Sequence, residues 1–375
     1  MDMEDTKQLL EATGRFAAEH IAGMAGRPEH PLNLAQLASL TQDAVELGIL
    51  SLSTAEAGFA LWENSGDTPA MSFNLGALRQ IAGACPGLAF AWHRQALARH
   101  VAVQLGIAIG EAYLRTLTLL PTGHYGLARA SHARWLSGNT LTPEDEALMS
   151  DWLDRANHPA MLCAPADWSG LIWPVWRAGQ IAWQYSARSD LCATIGKPQH
   201  GFDELAYFEV SQPASAGELV ELDLQHSRQL YTRVLKMELL GLLAIGAGAL
   251  DRGQTLARDY VAIRKQGGKL IAEHPAVQQM LSDIEINRSQ ASMALQSFAG
   301  AVNDLDLGEV MANRASISPM LCHAANQVVQ VHGGMGYMRD AGPEKLVRDQ
   351  NMLRLMSGGI RDIHLFLAAW TGARQ

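Results

Sequence analysis

Two glycine-bearing turns in the C-terminal part of the chain carry residue types suited to holding a phosphate. From Ile263 the sequence reads IRKQGGKLIAEHPAVQQ. Arg264 closes a helical stretch, Gln266 follows, and Gly267–Gly268 breaks the chain before a new helix opens near His274. A planar guanidinium beside two glycines suits a pyrophosphate, though a cation at a helix C-terminus also satisfies the helix dipole without any ligand. From Ala325 to Asp349 the sequence is ANQVVQVHGGMGYMRDAGPEKLVRD. Gln330 ends a helix there, and Gly333, Gly334 and Gly336 let the backbone turn sharply and approach a ligand. Amides exposed in such a turn can bind a nucleotide phosphate; the same pattern also serves as a plain helix stop. The lone Cys163, in the apolar run LCAPA, reads as packing before it reads as a nucleophile. None of the 13 histidines stands at metal spacing, and His93 in FAWHRQALARH reads as packing.

Helices must position both turns. Leu34, Leu37, Leu40, Ala44 and Leu47 recur at helical spacing, and another apolar-periodic stretch covers Leu75 to Leu105. Asn33 and Gln36 form a candidate capping box. From Pro121 to Leu222 the character changes. Runs such as GLIWPVW, QIAWQYSA and LAYFEVS are rich in β-branched and aromatic residues, and six of the nine tryptophans fall here. This predicts a small β domain with one inserted helix at TPEDEALMSDWLDR, which opens with a Thr cap, Pro and early acids. After Asp223 long helices return, over Leu230–Ile263, Pro275–Val302, Ser318–Val331 and from Ile360 onward. The expected domains are 1–120 helical, 121–222 β and 223–375 helical, an α+β class with α–β–α order.

Composition narrows the function. Apolar residues make up 48% of the 375 and charged residues 18%, too apolar for a disordered chain. With 29 basic against 38 acidic residues, net charge is −9 and no basic run stands out, which argues against a nucleic-acid partner. The longest apolar stretch, Leu239 to Leu250, is 12 residues with three glycines, too short to cross a bilayer. The start, MDMEDTKQLLEATGRF, lacks the cationic and apolar segments of a signal peptide. Cys85, Cys163, Cys192 and Cys322 lie far apart with no CxxC pair, so a reduced cytoplasmic protein without a metal site is expected.

In this order and spacing the two turns resemble the acyl-CoA dehydrogenase superfamily. Its C-terminal domain carries an R-x-Q-F-G turn, then Q-x-x-G-G-x-G-Y followed by R-D. Here these are Arg264, Gln266 and Gly268, then Gln330, Gly333, Gly334, Gly336, Tyr337, Arg348 and Asp349, with Gly267 in place of the family's phenylalanine. ELAYFEVSQP, Glu204 to Pro213, is similar to the family's strand E-L-x-F-x-D-V-x-V-P. The resemblance implies three parts: an N-terminal helical domain, a middle β barrel or sandwich, and a C-terminal four-helix bundle. It implies FAD, with Arg264 and Gln266 on its pyrophosphate and the Gln330–Gly334 turn, with Gly336 beside it, on the adenylate half of a cofactor held mainly by a neighbouring subunit. A homodimer or homotetramer follows, or a heteromer.

The departures concern the catalytic end. Most members place a glutamate in a Y-E-G-T turn after R-D; here that position is Ser357, too weak a base to take a proton from carbon. The isovaleryl-CoA and long-chain branch takes its glutamate from the long helix instead, and KMELLG puts Glu238 at that spacing before Arg264. Glu238 is therefore the candidate base. Its place before LLGLLAIGAGAL suggests desolvation and a raised pKa. An exposed carboxylate near a helix start is the alternative. Leu239 replaces the arginine that usually follows. In the β domain the family's Y-x-x-T-E-P-x-A-G-S-D stretch has only YGLARAS, Tyr125 to Ser131, as counterpart, placing Leu127 against the flavin. The strand beside the flavin falls by spacing on Leu162–Ala166, hence Cys163 and Ala164.

The expectation is an FAD-dependent α,β-dehydrogenation of an acyl-CoA or a carrier-bound acyl thioester, reoxidised by an electron-transfer flavoprotein or O2. Two alternatives stay open: an acyl-CoA oxidase or flavin monooxygenase of a biosynthetic pathway, and a catalytically impaired subunit that completes a partner's FAD site.

Overall fold

The computed structural model describes residues 2–54, 58–122, 130–154, 156, 158–212 and 217–373. Helix α1 (Met3–Phe16) opens under an Asp2 capping box and runs through a π turn into the short α2 (Ala22–Ala25). The Asn33–Gln36 capping box starts α3 (Leu34–Glu46), as expected. The periodic stretch after residue 68 is two helices, α4 (Thr68–Ala84) and α5 (Pro86–Leu105). Pro86 lacks the N–H a continuous helix would need there and instead serves as the first residue of α5. After the short α6 (Glu111–Leu114) comes β1 (Leu117–Leu119), which precedes the β segment as drawn from the sequence.

Next come α7 (Ala130–Leu136) and α8 (Pro143–Trp152), the latter capped by Thr142 and carrying acids in its first turn. The strands β2 (Ala160–Ala164), β3 (Gly170–Arg177), β4 (Gln180–Ala187), β5 (Cys192–Ile195), β6 (Ala206–Ser211) and β7 (Glu218–Val220) form two small sheets. One has the order β1-β3-β4-β7, with β1 parallel to β3; the other is β2-β6-β5, antiparallel throughout. Leu162, Ala164, Trp168, Leu171, Trp173, Phe208 and Val210 build a core between them.

The 40-residue α9 (Leu224–Ile263) is the spine of the C-terminal part. From Val234 to Leu250 every residue is buried, because α4, α5, α10, α11 and α12 pack around it. A helix apolar on all sides belongs in such a position. Burying each large aliphatic side chain contributes about 1.5–3 kcal/mol. The tight hairpin β8 (Lys265–Gln266) and β9 (Lys269–Leu270) leads to α10 (Pro275–Ser297), α11 (Leu307–His332), α12 (Pro343–Leu355) and α13 (Ile360–Ala373). Helix α11 starts eleven residues earlier than the apolar pattern suggested and carries Pro319 inside it. Among the described residues, no helix is long and apolar enough to cross a membrane.

Candidate functional site

A cavity of about 1100 Å³ opens between the β2-β6-β5 sheet and the C-terminal helices. Leu162 and Cys163 of β2, Tyr207 of β6, Leu120 and Thr122 after β1, Met352 and Leu355 of α12 and the turn Met356–Gly359 after it line it. Arg94 and Ser357 form part of its wall.

Behind that wall lies Glu238, wholly buried in the middle of α9. Arg94 Nη2 donates to Glu238 Oε1 at 2.6 Å, and Ser357 Oγ donates to the same oxygen at 2.5 Å. Arg94 Nη2 also lies 3.1 Å from Ser357 Oγ, and its Nη1 donates to the Leu119 carbonyl at 2.7 Å. His93 Nε2 stands 3.0 Å from Glu238 Oε2, out of line for a straight hydrogen bond. Trp62 Nε1 donates to His93 Nδ1 at 2.9 Å, so a neutral His93 carries its proton on Nε2, toward the carboxylate. Helix α9 can approach the imidazole this closely because residue 241 is glycine: a Cβ there would enter the His93 ring.

This surrounding reverses the sequence expectation for Glu238. Burial alone pushes the carboxyl up, but the Arg94 guanidinium, aided by His93 and Ser357, more than offsets it and holds the pKa at about 2, below the ordinary 4.5. Desolvation was legible in the apolar run after Glu238; the arginine 144 positions away was not. A second guanidinium, Arg314 of α11, is also fully buried and feels the Glu238 charge. Its Nη1 donates to Ser318 Oγ at 2.8 Å and its Nη2 to the Leu353 carbonyl.

The residues assigned to cofactor binding fall in separate places. Cys163 is on the cavity wall; burial pushes its thiol up to about 12, which leaves it a packing group and no thiolate nucleophile. Ala164, the next residue of β2, points to the opposite face, into the core between the sheets with Trp168 and Phe208. Leu127 lies outside the described residues. Arg264, Gln266, Gln330, Gly333 and Gly334 are exposed, and Gly336 is buried against the Val329 carbonyl. None of these six lines the cavity. They do share one end of the bundle: Tyr260, just before Arg264, stacks on His332, just before Gly333, with ring centroids 4.4 Å apart. Gly267 and Gly268 have φ +61° and +84°, and Gly333 has φ +57°, backbone shapes that glycine adopts without strain.

Sequence reasoning missed Arg94 and gave His93 to packing. The available signal was in α5, where His93, Arg94, Gln95, Arg99 and His100 sit in an otherwise apolar helix and are all buried. Five polar side chains on the inside of a helix require partners there.

Residues 229–369 match the family model described as the acyl-CoA dehydrogenase C-terminal domain. The chain is 33% identical over 127 residues to 3-sulfinopropanoyl-CoA desulfinase of Paraburkholderia xenovorans (strain LB400), 32% of this chain and 30% of that protein. It is 30% identical over 121 residues to a probable acyl-CoA dehydrogenase of Bacillus subtilis (strain 168), 32% and 31% respectively. These matches therefore span about a third of the curated relatives' length. In structure, all of the chain superposes on 98% of glutaryl-coenzyme A dehydrogenase in its glutaryl-CoA complex, with a TM-score of 0.73 at 14% identity. That likeness covers all three parts of the fold.

Proposed function

We propose that the chain is a divergent member of the acyl-CoA dehydrogenase superfamily and an FAD-dependent oxidoreductase of an acyl thioester, with Glu238 as acceptor of the substrate α-proton. One observation carries this reading. Glu238 and Ser357, far apart in sequence, meet at 2.5 Å behind the cavity wall, so a carboxylate stands beside the position at which most of the family keeps its own.

The residues present fit an FAD. The cavity is bounded by backbone and apolar side chains of β2 on one side and by the Ser357–Gly359 turn on the other. Arg264 and Gln266 would hold the pyrophosphate and the exposed Gln330–Gly334 turn the adenylate half of an FAD bound mainly to another subunit, which makes the protein an oligomer. Bound there, FAD supplies a two-electron acceptor for the β-hydride. Glu238 takes the α-proton once its ion pair with Arg94 loosens. Arg94 and the Ser357 hydroxyl hold the carboxylate in one orientation, and His93, fixed by Trp62, supports its second oxygen. The complete burial of Glu238 keeps away the water that would otherwise compete for the proton.

Anaerobic mixing of the FAD-loaded protein with an acyl-CoA tests this. Wild type bleaches the flavin, and Glu238→Gln, with a native circular dichroism spectrum, retains less than about 1% of the rate. Full bleaching by Glu238→Gln contradicts the assignment. The tight Arg94–Glu238 pair favours one second reading, a subunit that completes a partner's site without turning over. An isolated chain that never bleaches, but raises the activity of a co-purified relative, would establish it.

A further inference from the structure

Glu238 is wholly buried and does not line the cavity, so a molecule in the cavity does not meet its carboxylate directly. Among the described residues, three side chains make polar contact with that carboxylate: Arg94, His93 and Ser357. A proton that travels between cavity and carboxylate passes through one of them. Arg94 lines the cavity, but a guanidinium has donors and no acceptor. His93 is buried away from the cavity wall, and its Nδ1 already accepts from Trp62 Nε1. Of the three, only Ser357 has both properties that a relay needs. It lines the cavity, and its hydroxyl, which can accept as well as donate, gives its proton to Glu238 Oε1 at 2.5 Å.

The backbone singles out the same residue. Ser357 has φ +57°, a left-handed shape that glycine takes more easily than serine. Strain of that kind gathers at functional sites. Two other carboxylates, Glu209 of β6 and Asp362 of α13, line the same cavity. Glu209 is exposed and Asp362 half-buried, so water competes for both. Glu238 is sealed from water and joined to the wall by a hydroxyl.

We infer that Ser357 is the group that meets the substrate α-hydrogen and relays the proton to Glu238. This rests on the acyl-thioester reading above and names the atom through which Glu238 acts. As the α C–H bond breaks, a new O–H bond forms at Ser357 Oγ, and the proton that was there passes to Glu238 Oε1. The hydroxyl is regenerated, and the electron pair of the C–H bond stays on the substrate as its enolate. Arg94 Nη2 lies 2.6 Å from Glu238 Oε1 and 3.1 Å from Ser357 Oγ. It therefore stays beside the charge that develops on the serine oxygen as its pair with Glu238 loosens. A serine hydroxyl is too weak a base for carbon by itself, and the carboxylate behind it supplies the basicity. The same two transfers in reverse return the Glu238 proton to the cavity.

Acetyl-CoA in D2O tests the relay, because it has α-hydrogens and no β-carbon from which a hydride could leave. The FAD-loaded wild type exchanges the methyl hydrogens for deuterium, followed by proton NMR. Ser357→Ala, which removes the hydroxyl and keeps Cβ, lowers that exchange at least about 100-fold. Ser357→Gly, which also suits the left-handed backbone, lowers it equally. Both variants keep a native circular dichroism spectrum and wild-type affinity for acetyl-CoA by isothermal titration. Wild-type exchange in either variant overturns the relay and leaves Glu238 as a direct base. Affinity lost together with exchange makes Ser357 a structural residue and also overturns it. Exchange that survives Glu238→Gln overturns the relay and the parent reading together. No exchange in the wild type overturns the relay, while flavin bleaching by an acyl-CoA still decides the parent reading.

Discussion

The two ends of the C-terminal bundle treat their candidate functional residues in opposite ways. At the outer end, Arg264, Gln266, Gln330 and the glycines from 333 keep the spacing of a motif and, apart from Gly336, lie in water. At the buried end, Glu238, Arg94, His93 and Ser357 have no common motif and arrive from three separate stretches to make one ion-paired cluster. Where backbone amides and glycine geometry do the work, the order of residues must be kept. Where side chains meet across helices, any stretch that reaches the place can supply the group, and the pattern along the chain dissolves.

The sharpest way to break this contrast is to remove one partner at the buried end. Arg94→Met leaves a buried carboxylate without its cation and costs about 3–5 kcal/mol in chemical denaturation, whereas Arg94→Met with Glu238→Gln recovers much of it. Additive losses would mean that the pair is not coupled. The same pair sets an acid dependence. The folded-state pKa of Glu238, about 2, is below its ordinary 4.5, so the stability it contributes is complete above about pH 4.5 and is lost as pH falls toward 2. A wild-type minus Glu238→Gln difference that stays flat over that window would contradict it.

Two buried histidines act at milder acidity. Burial lowers His132 to about 3 and His100 to about 4 from 6.5, so the unfolded chain binds the protons first and stability falls as pH drops below about 6.5. Replacing His132, which packs against Trp152, Tyr231 and Phe366, with Phe flattens that slope. Gly241→Ala comes next: its methyl group meets the His93 ring and costs about 1–3 kcal/mol. The smallest stability effect belongs to the outer end. Arg264→Ala and Gln330→Ala change folding stability by less than about 0.5 kcal/mol, yet they reduce FAD retention on gel filtration. A large loss of stability there would erase the distinction between the two ends.

Much of the fold could be read from periodicity and caps. The Asn33 and Thr142 caps, the β3, β4 and β6 runs and the long apolar helix all follow from local rules. The limits of α11 could not, because its first half exposes one polar face in alternation with a buried one and Pro319, which lacks an N–H, interrupts the helical signal there. At the site, the family resemblance singled out Glu238 through its distance from Arg264, and the structure places it beside Ser357. Its lowered pKa was not legible, since that depends on Arg94, a residue whose burial only the packing of α5 between α4, α9 and β1 reveals. Cys163 and Ala164 were chosen together, but Ala164 packs into the core between the two sheets, and of the two only Cys163 reaches the cavity.

The central claim is that this fold holds FAD between β2 and the Ser357 turn. The most direct measurement is the visible spectrum of the purified protein, with the cofactor released by denaturation and identified. A flavin spectrum and about one FAD per chain, lowered by Arg264→Ala without loss of fold, is the predicted result. A colourless protein that takes up no FAD on reconstitution would contradict it.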